Sequence, residues 1–244
     1  PATHGVDFVA MTEDLAAAGA GDIVLLHGCC HNPSGADLTP EQWREIAGMA
    51  ANQGFTPMVD LAYQGFGEGL DTDVYGLRCL IEQVPEVVVA ASLSKNMGLY
   101  RERTGMAIFV GPNSRTAEAT VSQAKAAARR IYSMPPAHGA LLAGRVLGDP
   151  VLRADWEAEL TAMCVRINGL RLEFQKRLEN ATGRDFGFIA KEKGMFSFLG
   201  LSEEQAKQVR SEHGLYMLNS SRINIASLNA GNMDRVVAAV TSVL

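Results

Sequence analysis

Apolar and polar positions along the chain switch between two periods, and the switches mark an alternation of strands and helices. Residues 23–26, 55–60 and 87–91 are short apolar runs, the last of them β-branched, and read as strands of a buried parallel sheet. The spacing predicts a fourth strand over 104–110. Helical patterns separate the runs, over 6–18, from Thr39 onward and over 74–83. Thr39-Pro40-Glu41-Gln42 forms a capping box with proline at the first helical position, and Trp43, Ile46, Ala47 and Ala50 then mark one face. Strands and helices in this order predict an α/β fold with a largely parallel sheet.

Beyond Gly111 the pattern turns helical, over 115–130, until Pro135-Pro136 interrupts it. From Val151 the positions Leu152, Trp156, Leu160, Met163, Ile167, Leu170, Phe174 and Leu178 recur in steps of three and four. At 1.5 Å per residue they predict a helix of ~40 Å, longer than one small domain needs. The expected organisation is a first domain over 1–160 and a smaller α/β domain over 161–244, joined through that helix. The smaller part carries strand patterns near 194–198 and 222–225, a helix capped by Ser202 and a last helix from Asn232.

Composition narrows the function. With 244 residues, 47% of them hydrophobic, the chain can bury one large core or two smaller ones. Its net charge of −5 leaves no basic footprint for nucleic acid, and no apolar run approaches the ~20 residues that cross a membrane. Cys29, Cys30, Cys79 and Cys164 are too few and scattered for a disulfide framework; they fit reduced thiols in a cytoplasm. His27, Cys29, Cys30 and His31 could suggest a metal, but adjacent cysteines seldom turn toward one ion and no C-x-x-C pair exists. No metal is therefore expected. The glycine-rich stretch 65–69 does not follow a strand directly and lacks dinucleotide spacing.

The chemistry gathers at strand ends. The run 87–91 breaks into Ser92-Leu93-Ser94-Lys95, which places a lysine beyond the carboxyl end of a strand, where α/β sheets bind ligands. A lysine there loses hydration and becomes a usable nucleophile; alone, it could equally be a side chain snorkelling to water. Its companions decide between the two. Asn32, then Asp60 with Tyr63, then Lys95 stand at three successive strand ends, with Arg103 eight residues on. This set meets the needs of pyridoxal phosphate: a lysine for the aldehyde, a carboxylate (Asp60) for the ring nitrogen, and neutral donors (Asn32, Tyr63) for the phenolate oxygen. Hydroxyls (Ser92, Ser94) and a guanidinium (Arg103) suit the phosphate.

The stretches HGCCHNPSG, VDLAYQGFGEG, SLSKNMGLYRERTG, YSMPPAHG and GMFSF resemble, in unbroken order, those of the aspartate/aromatic aminotransferase family, fold type I of the pyridoxal phosphate enzymes. The resemblance implies transamination between an amino acid and a 2-oxo acid, with Lys95 as Schiff-base lysine and proton shuttle, and Asp60, Tyr63, Asn32, Ser92, Ser94 and Arg103 around the cofactor. It implies that Arg222 clamps the substrate α-carboxylate and that Arg129 reaches a neighbouring subunit's site to bind a distal carboxylate, within a homodimer that shares its active sites. His27 would stand behind Asp60. Met134 departs from the asparagine many relatives have before the Pro-Pro pair, which loosens the choice between dicarboxylic and aromatic substrates. The alternatives are another reaction at Cα, such as decarboxylation, or an inactive piece that only folds or dimerises. Because the chain opens on Pro1 and a helix already feeding a strand, an upstream segment is also expected, with a phosphate-binding loop and a ring stacked on the cofactor. These residues alone would then not turn over.

Overall fold

Burial alternates along the strands, and that alternation sets which way the main sheet faces. The computed structural model describes residues 4–244. Its main sheet has four strands in the order β1 (Ile23–His27), β2 (Thr56–Leu61), β3 (Val87–Ser92) and β4 (Gly105–Val110). In β2, Pro57, Val59 and Leu61 are buried while Thr56, Met58 and Asp60 are half-covered, the two-residue period of a pleated strand. The buried face packs on α2 (Pro40–Gln53) and α3 (Tyr75–Gln83) through Trp43, Ile46, Ala47, Ala50 and Leu80. Full burial of one such side chain contributes ~1.5–3 kcal/mol. The Thr39 capping box opens α2 as the sequence predicts, with Thr39 accepting from Gln42 N–H and Gln42 accepting from Thr39 N–H.

β1, β2 and β3 run parallel, with His27 beside Asp60 and Asp60 beside Ala90. Their carboxyl ends therefore meet at one rim. The sheet is largely parallel, as expected, with one antiparallel edge, and one expectation about burial shifts. β4 runs antiparallel to β3, because residues 93–104 contain no crossover helix and the chain can only turn back. β3 is also not buried on both faces: Val87 and Val89 are buried, whereas Val88 and Ala90 are half-covered. The first helix is shorter than its pattern, α1 (Phe8–Leu15), starting at an Asp7 cap that accepts from Ala10 N–H.

Past β4 the chain runs through α4 (Ser114–Tyr132), which buries none of its residues, and α5 (His138–Gly148), which the sequence pattern did not show. The two are joined through Ser133 and Pro135-Pro136. α5 docks on the start of β4 through Gly139, where a Cβ would fall 1.9 Å from the Thr104 hydroxyl. The long helix α6 (Pro150–Thr182) follows, 33 residues from its Asp149 cap to Gly183. Its buried seam is Leu160, Cys164, Ile167, Arg171, Phe174 and Leu178. Leu152 and Met163, assigned to that seam by periodicity, are exposed. Around the second half of α6 pack α7 (Gly187–Lys191), α8 (Glu203–His213), α9 (Met233–Thr241) and a two-stranded antiparallel sheet of β5 (Phe196–Phe198) and β6 (Arg222–Asn224). A continuous apolar core connects Val59 and Leu80 through Leu160 and Ile167 to Ile225 and Val240.

Candidate active site

Every parallel strand of the main sheet delivers a polar group to the same rim. β1 hands over to the loop holding Asn32, β2 ends at Asp60 and Leu61 with Tyr63 just beyond, and β3 gives way to Ser92, Ser94 and Lys95. Four of the sequence-predicted residues form one connected line. Arg222, from β6 in the other sheet, donates through Nη1 to Asn32 Oδ1 at 3.0 Å. Asn32 Nδ2 in turn donates to the Tyr63 hydroxyl oxygen at 3.4 Å. The Lys95 Nζ stands 4.6 Å from the centre of the Tyr63 ring, within the range of a cation–π contact.

This line fixes protonation as well as position. Burial pushes the Tyr63 phenol above its ordinary value, against the opposing pull of the Asn32 hydrogen bond, while the Asp60 charge raises it further and Arg222 lowers it. A phenol held neutral keeps its proton to donate, and because Asn32 already supplies a donor to its oxygen, that proton is free for a ligand. Behind the line, Asn32 N–H donates to His27 Nδ1 at 3.4 Å, and the His27 and His31 rings lie 4.5 Å apart. Burial, reinforced by His27, pushes the His31 imidazole down.

Asp60 and Lys95 are both half-buried, and neither side chain has a hydrogen-bonding or ionic partner among the described residues. Ser92 and Ser94 are coupled to each other, hydroxyl to hydroxyl at 3.0 Å, with Ser94 N–H donating to Ser92 Oγ. Arg103 is not brought to them: it is exposed, adopts a φ of 51°, and donates to the Tyr100 carbonyl at 3.0 Å. Arg129 is likewise apart, exposed in the last turn of α4.

Three contributors escaped the sequence reading. The Phe196 ring lies under the Arg222 guanidinium at 4.6 Å and meets Tyr63 edge-on at 6.2 Å. Its motif was visible, but its partners depend on the β5–β6 register. The Trp156 indole donates to the Asn96 carbonyl at 2.8 Å, pinning the residue after Lys95 to α6. Arg171, buried on α6, gave no signal at all. The cysteines, for their part, separate from the histidines: the ligand atoms of Cys29, Cys30 and Asp73 lie within 4.8 Å of one another. Asp73 there accepts from the backbone N–H of Gly65, Gly67 and Glu68 at 2.8, 3.0 and 2.8 Å. Its carboxylate is the clamp of the glycine-rich turn.

The chain that builds this rim matches known proteins along nearly its whole length. The family described as aminotransferase class I and II matches residues 1–240. The chain belongs to that family. It is 48% identical over 242 residues to an aromatic-amino-acid aminotransferase of Paracoccus denitrificans and 47% identical over 242 to an aspartate aminotransferase of Escherichia coli. Each match covers 99% of this chain and 61% of the relative, so the chain spans about three-fifths of their length. An aromatic-amino-acid aminotransferase from Burkholderia pseudomallei, covalently bound to pyridoxal phosphate, superposes with a TM-score of 0.97 at 40% identity, over 99% of this chain and 61% of that one. The α/β architecture is thus that of the family's pyridoxal phosphate enzymes.

Proposed function

We propose that the rim is the cofactor and substrate site of an amino acid transaminase. The observation that carries this reading is the pairing of two unsatisfied half-buried groups, Asp60 and Lys95, with the Arg222–Asn32–Tyr63 line between the two sheets. That donor set fits pyridoxal phosphate, the group that the Burkholderia relative holds covalently. When bound, the cofactor supplies an aldehyde that condenses with amines and a ring that withdraws electrons from the substrate Cα.

The chain's own groups do the rest. Lys95 Nζ is the covalent anchor and, once displaced, the base that takes the Cα proton. Asp60 keeps the ring nitrogen protonated; each pKa unit of that preference corresponds to ~1.4 kcal/mol. Tyr63 and Asn32 donate to the phenolate oxygen, and Ser92 and Ser94 hold the phosphate, where Arg103 joins them by leaving the Tyr100 carbonyl that it bonds here. Arg222, already aimed at Asn32, takes the substrate α-carboxylate.

We assign Arg129 to the distal carboxylate of a dicarboxylic substrate in the partner subunit of a homodimer. Support comes from its place beside Ile131 and Met134, 78% and 79% exposed at the end of a helix with no buried face. The organisation we favour is a cofactor domain over 1–160 and a smaller domain over 161–244, joined through α6. Among the described residues no helix is long and apolar enough to cross a membrane, and four buried free thiols suit the cytoplasm.

The deciding experiment is a substrate panel. Aspartate, phenylalanine and tyrosine are each given, with a 2-oxo acid acceptor, to the pyridoxal phosphate-loaded protein at the full length of its relatives. At least one should yield its own 2-oxo acid, and the ranking assigns dicarboxylic or aromatic preference. Carbon dioxide with an amine as product would replace transamination by decarboxylation. No product with any substrate would leave a module that only folds or dimerises.

A further inference from the structure

Arg171 is 1% exposed, the largest fully buried side chain described. Its guanidinium donates to the carbonyls of Ile189 (3.2 Å), Lys193 (3.2 Å), Gly194 (2.7 and 3.2 Å) and Phe196, and to Glu192 Oε2 (3.2 Å). A guanidinium carries five N–H donors in a rigid fork. Here the fork spends them all on one eight-residue stretch, 189–196, which enters β5.

That stretch is what holds the carboxylate-binding line together. On one side Lys193 N–H donates to the Gly35 carbonyl at 2.8 Å, in the loop that carries Asn32. Gly35, at φ +74°, is packed so closely that a Cβ would lie 2.7 Å from the Phe196 carbonyl and 2.9 Å from Glu192 Cβ. On the other side Ile225 N–H donates to the Met195 carbonyl at 2.8 Å, and Phe196 pairs with Asn224. The Phe196 ring then lies between Arg222 and Tyr63. Arg171 touches neither Arg222 nor Asn32. It holds the backbone that places both.

The geometry points to Arg171 as a positioning residue for recognition of the substrate α-carboxylate, acting through segment 193–196 and the Phe196 ring on Arg222 and Asn32. This rests on the transaminase reading. A buried ion pair with a merely structural role would support the fold without preferring any ligand. A positioning role instead predicts a loss confined to ligands that bear a carboxylate. Lysine at 171 keeps the charge but offers one nitrogen where the fork uses three: Nε toward Gly194, Nη1 toward Ile189 and Glu192, and Nη2 toward Lys193, Gly194 and Phe196.

The test uses the pyridoxal phosphate-loaded enzyme at the full length of its relatives and two ligands with the same ring. One is 3-indolepropionate, a carboxylate held by an aromatic aminotransferase in a solved complex; the other is tryptamine, an amine without a carboxylate. Arg171→Lys should weaken 3-indolepropionate about tenfold, the size of one lost charge-assisted hydrogen bond, and leave tryptamine binding and the cofactor absorbance unchanged. Phe196→Leu should do the same, and the double variant should be no worse than the weaker-binding single, because both act on one path. If Arg171→Lys does not fold, Phe196→Leu, which leaves the fork intact, carries the test by itself and should show the same selective loss. Equal losses for both ligands, no loss for either, or additive losses in the double variant would overturn the assignment. Wild-type protein that neither binds the cofactor nor converts an amino acid would remove the transaminase reading itself; active wild type with unselective variants removes only this inference.

Discussion

The two sides of the rim are built differently. Toward the second sheet, Arg222, Asn32, Tyr63 and Lys95 are linked side chain to side chain and backed by the Arg171 fork. Toward β4 and α4, Arg103 bonds only a neighbouring carbonyl, and Arg129 projects from a helix that buries nothing. The first side is organised by contacts within this chain. The second displays its guanidinium groups on exposed elements, and β4, at that edge of the sheet, exposes Met106. Within the proposed function, the linked side handles what every amino acid shares, the amine and the α-carboxylate. On the exposed side Arg129 handles what differs, the distal end of the substrate, while Arg103 serves the phosphate. Pre-organisation is thus concentrated at the amine and the α-carboxylate.

The largest expected effect belongs to Lys95. Lys95→Ala removes nucleophile and proton shuttle together, so the absorbance of the covalently held cofactor should vanish and turnover should fall by at least ~10⁴-fold. Retained absorbance in that variant would detach Lys95 from the linked side altogether. Next come the two arginines. Arg222→Ala should lower kcat/KM for all amino acids, since removing one partner of a desolvated charge pair costs ~2–5 kcal/mol, roughly 30-fold or more. Arg129→Ala should penalise aspartate by a similar factor and spare phenylalanine. Equal losses on aspartate and phenylalanine from Arg129→Ala would erase the contrast between the two sides.

The smallest effect concerns the scaffold of the linked side and is read as stability. Burial raises the Glu192 carboxyl from its ordinary 4.5 to about 7, only partly opposed by Arg171, whose own guanidinium burial pulls down. The folded protein therefore keeps a proton that the unfolded chain has released. That contribution is fully present below about pH 4.5 and is lost as pH rises through about 7. Between pH 5 and 8 the wild type should lose roughly 2–3 kcal/mol relative to Glu192→Gln, which does not titrate. Thermal melts of both proteins across that range measure it. A gap that stays constant with pH would show that Glu192 is ionised throughout, and that the fork is anchored by a full ion pair.

Short apolar runs carried the sequence reading of the strands, and an unmistakable cap that of α2, while the alternation of Val59, Val87 and Val89 with half-covered neighbours stayed hidden because most of those neighbours are apolar too. Direction was less legible. Nothing in residues 104–110 says which way β4 runs; the missing helix between 93 and 104 does, and that is a property of the connection. On α6 the apolar rule misplaced the seam, counting Met163 and overlooking Arg171, since a charged residue reads as a solvent face until enough carbonyls surround it. The Lys95, Tyr63, Asn32 and Arg222 line was legible because those residue types stand at strand ends or in distinctive motifs. The role of Phe196 was not. It depends on Phe198 pairing with Arg222 so that the ring two residues earlier lies diagonally beneath the guanidinium.

The helix α6 also works as a lever. Its Trp156 grips the carbonyl beside Lys95, and its Arg171 grips the stretch beneath Arg222. Fifteen residues separate the two grips, ~22 Å of helix at 1.5 Å per residue. A bend of only ~5° between them would displace one grip against the other by ~2 Å, more than the ~1 Å error that already costs a catalyst about a hundredfold. Helices curve gently and kink sharply at defined defects such as proline, and between Trp156 and Arg171 the helix is continuous and holds no proline. Within the proposed function, the span from amine to carboxylate that a substrate must match is therefore set by the stiffness of one rod.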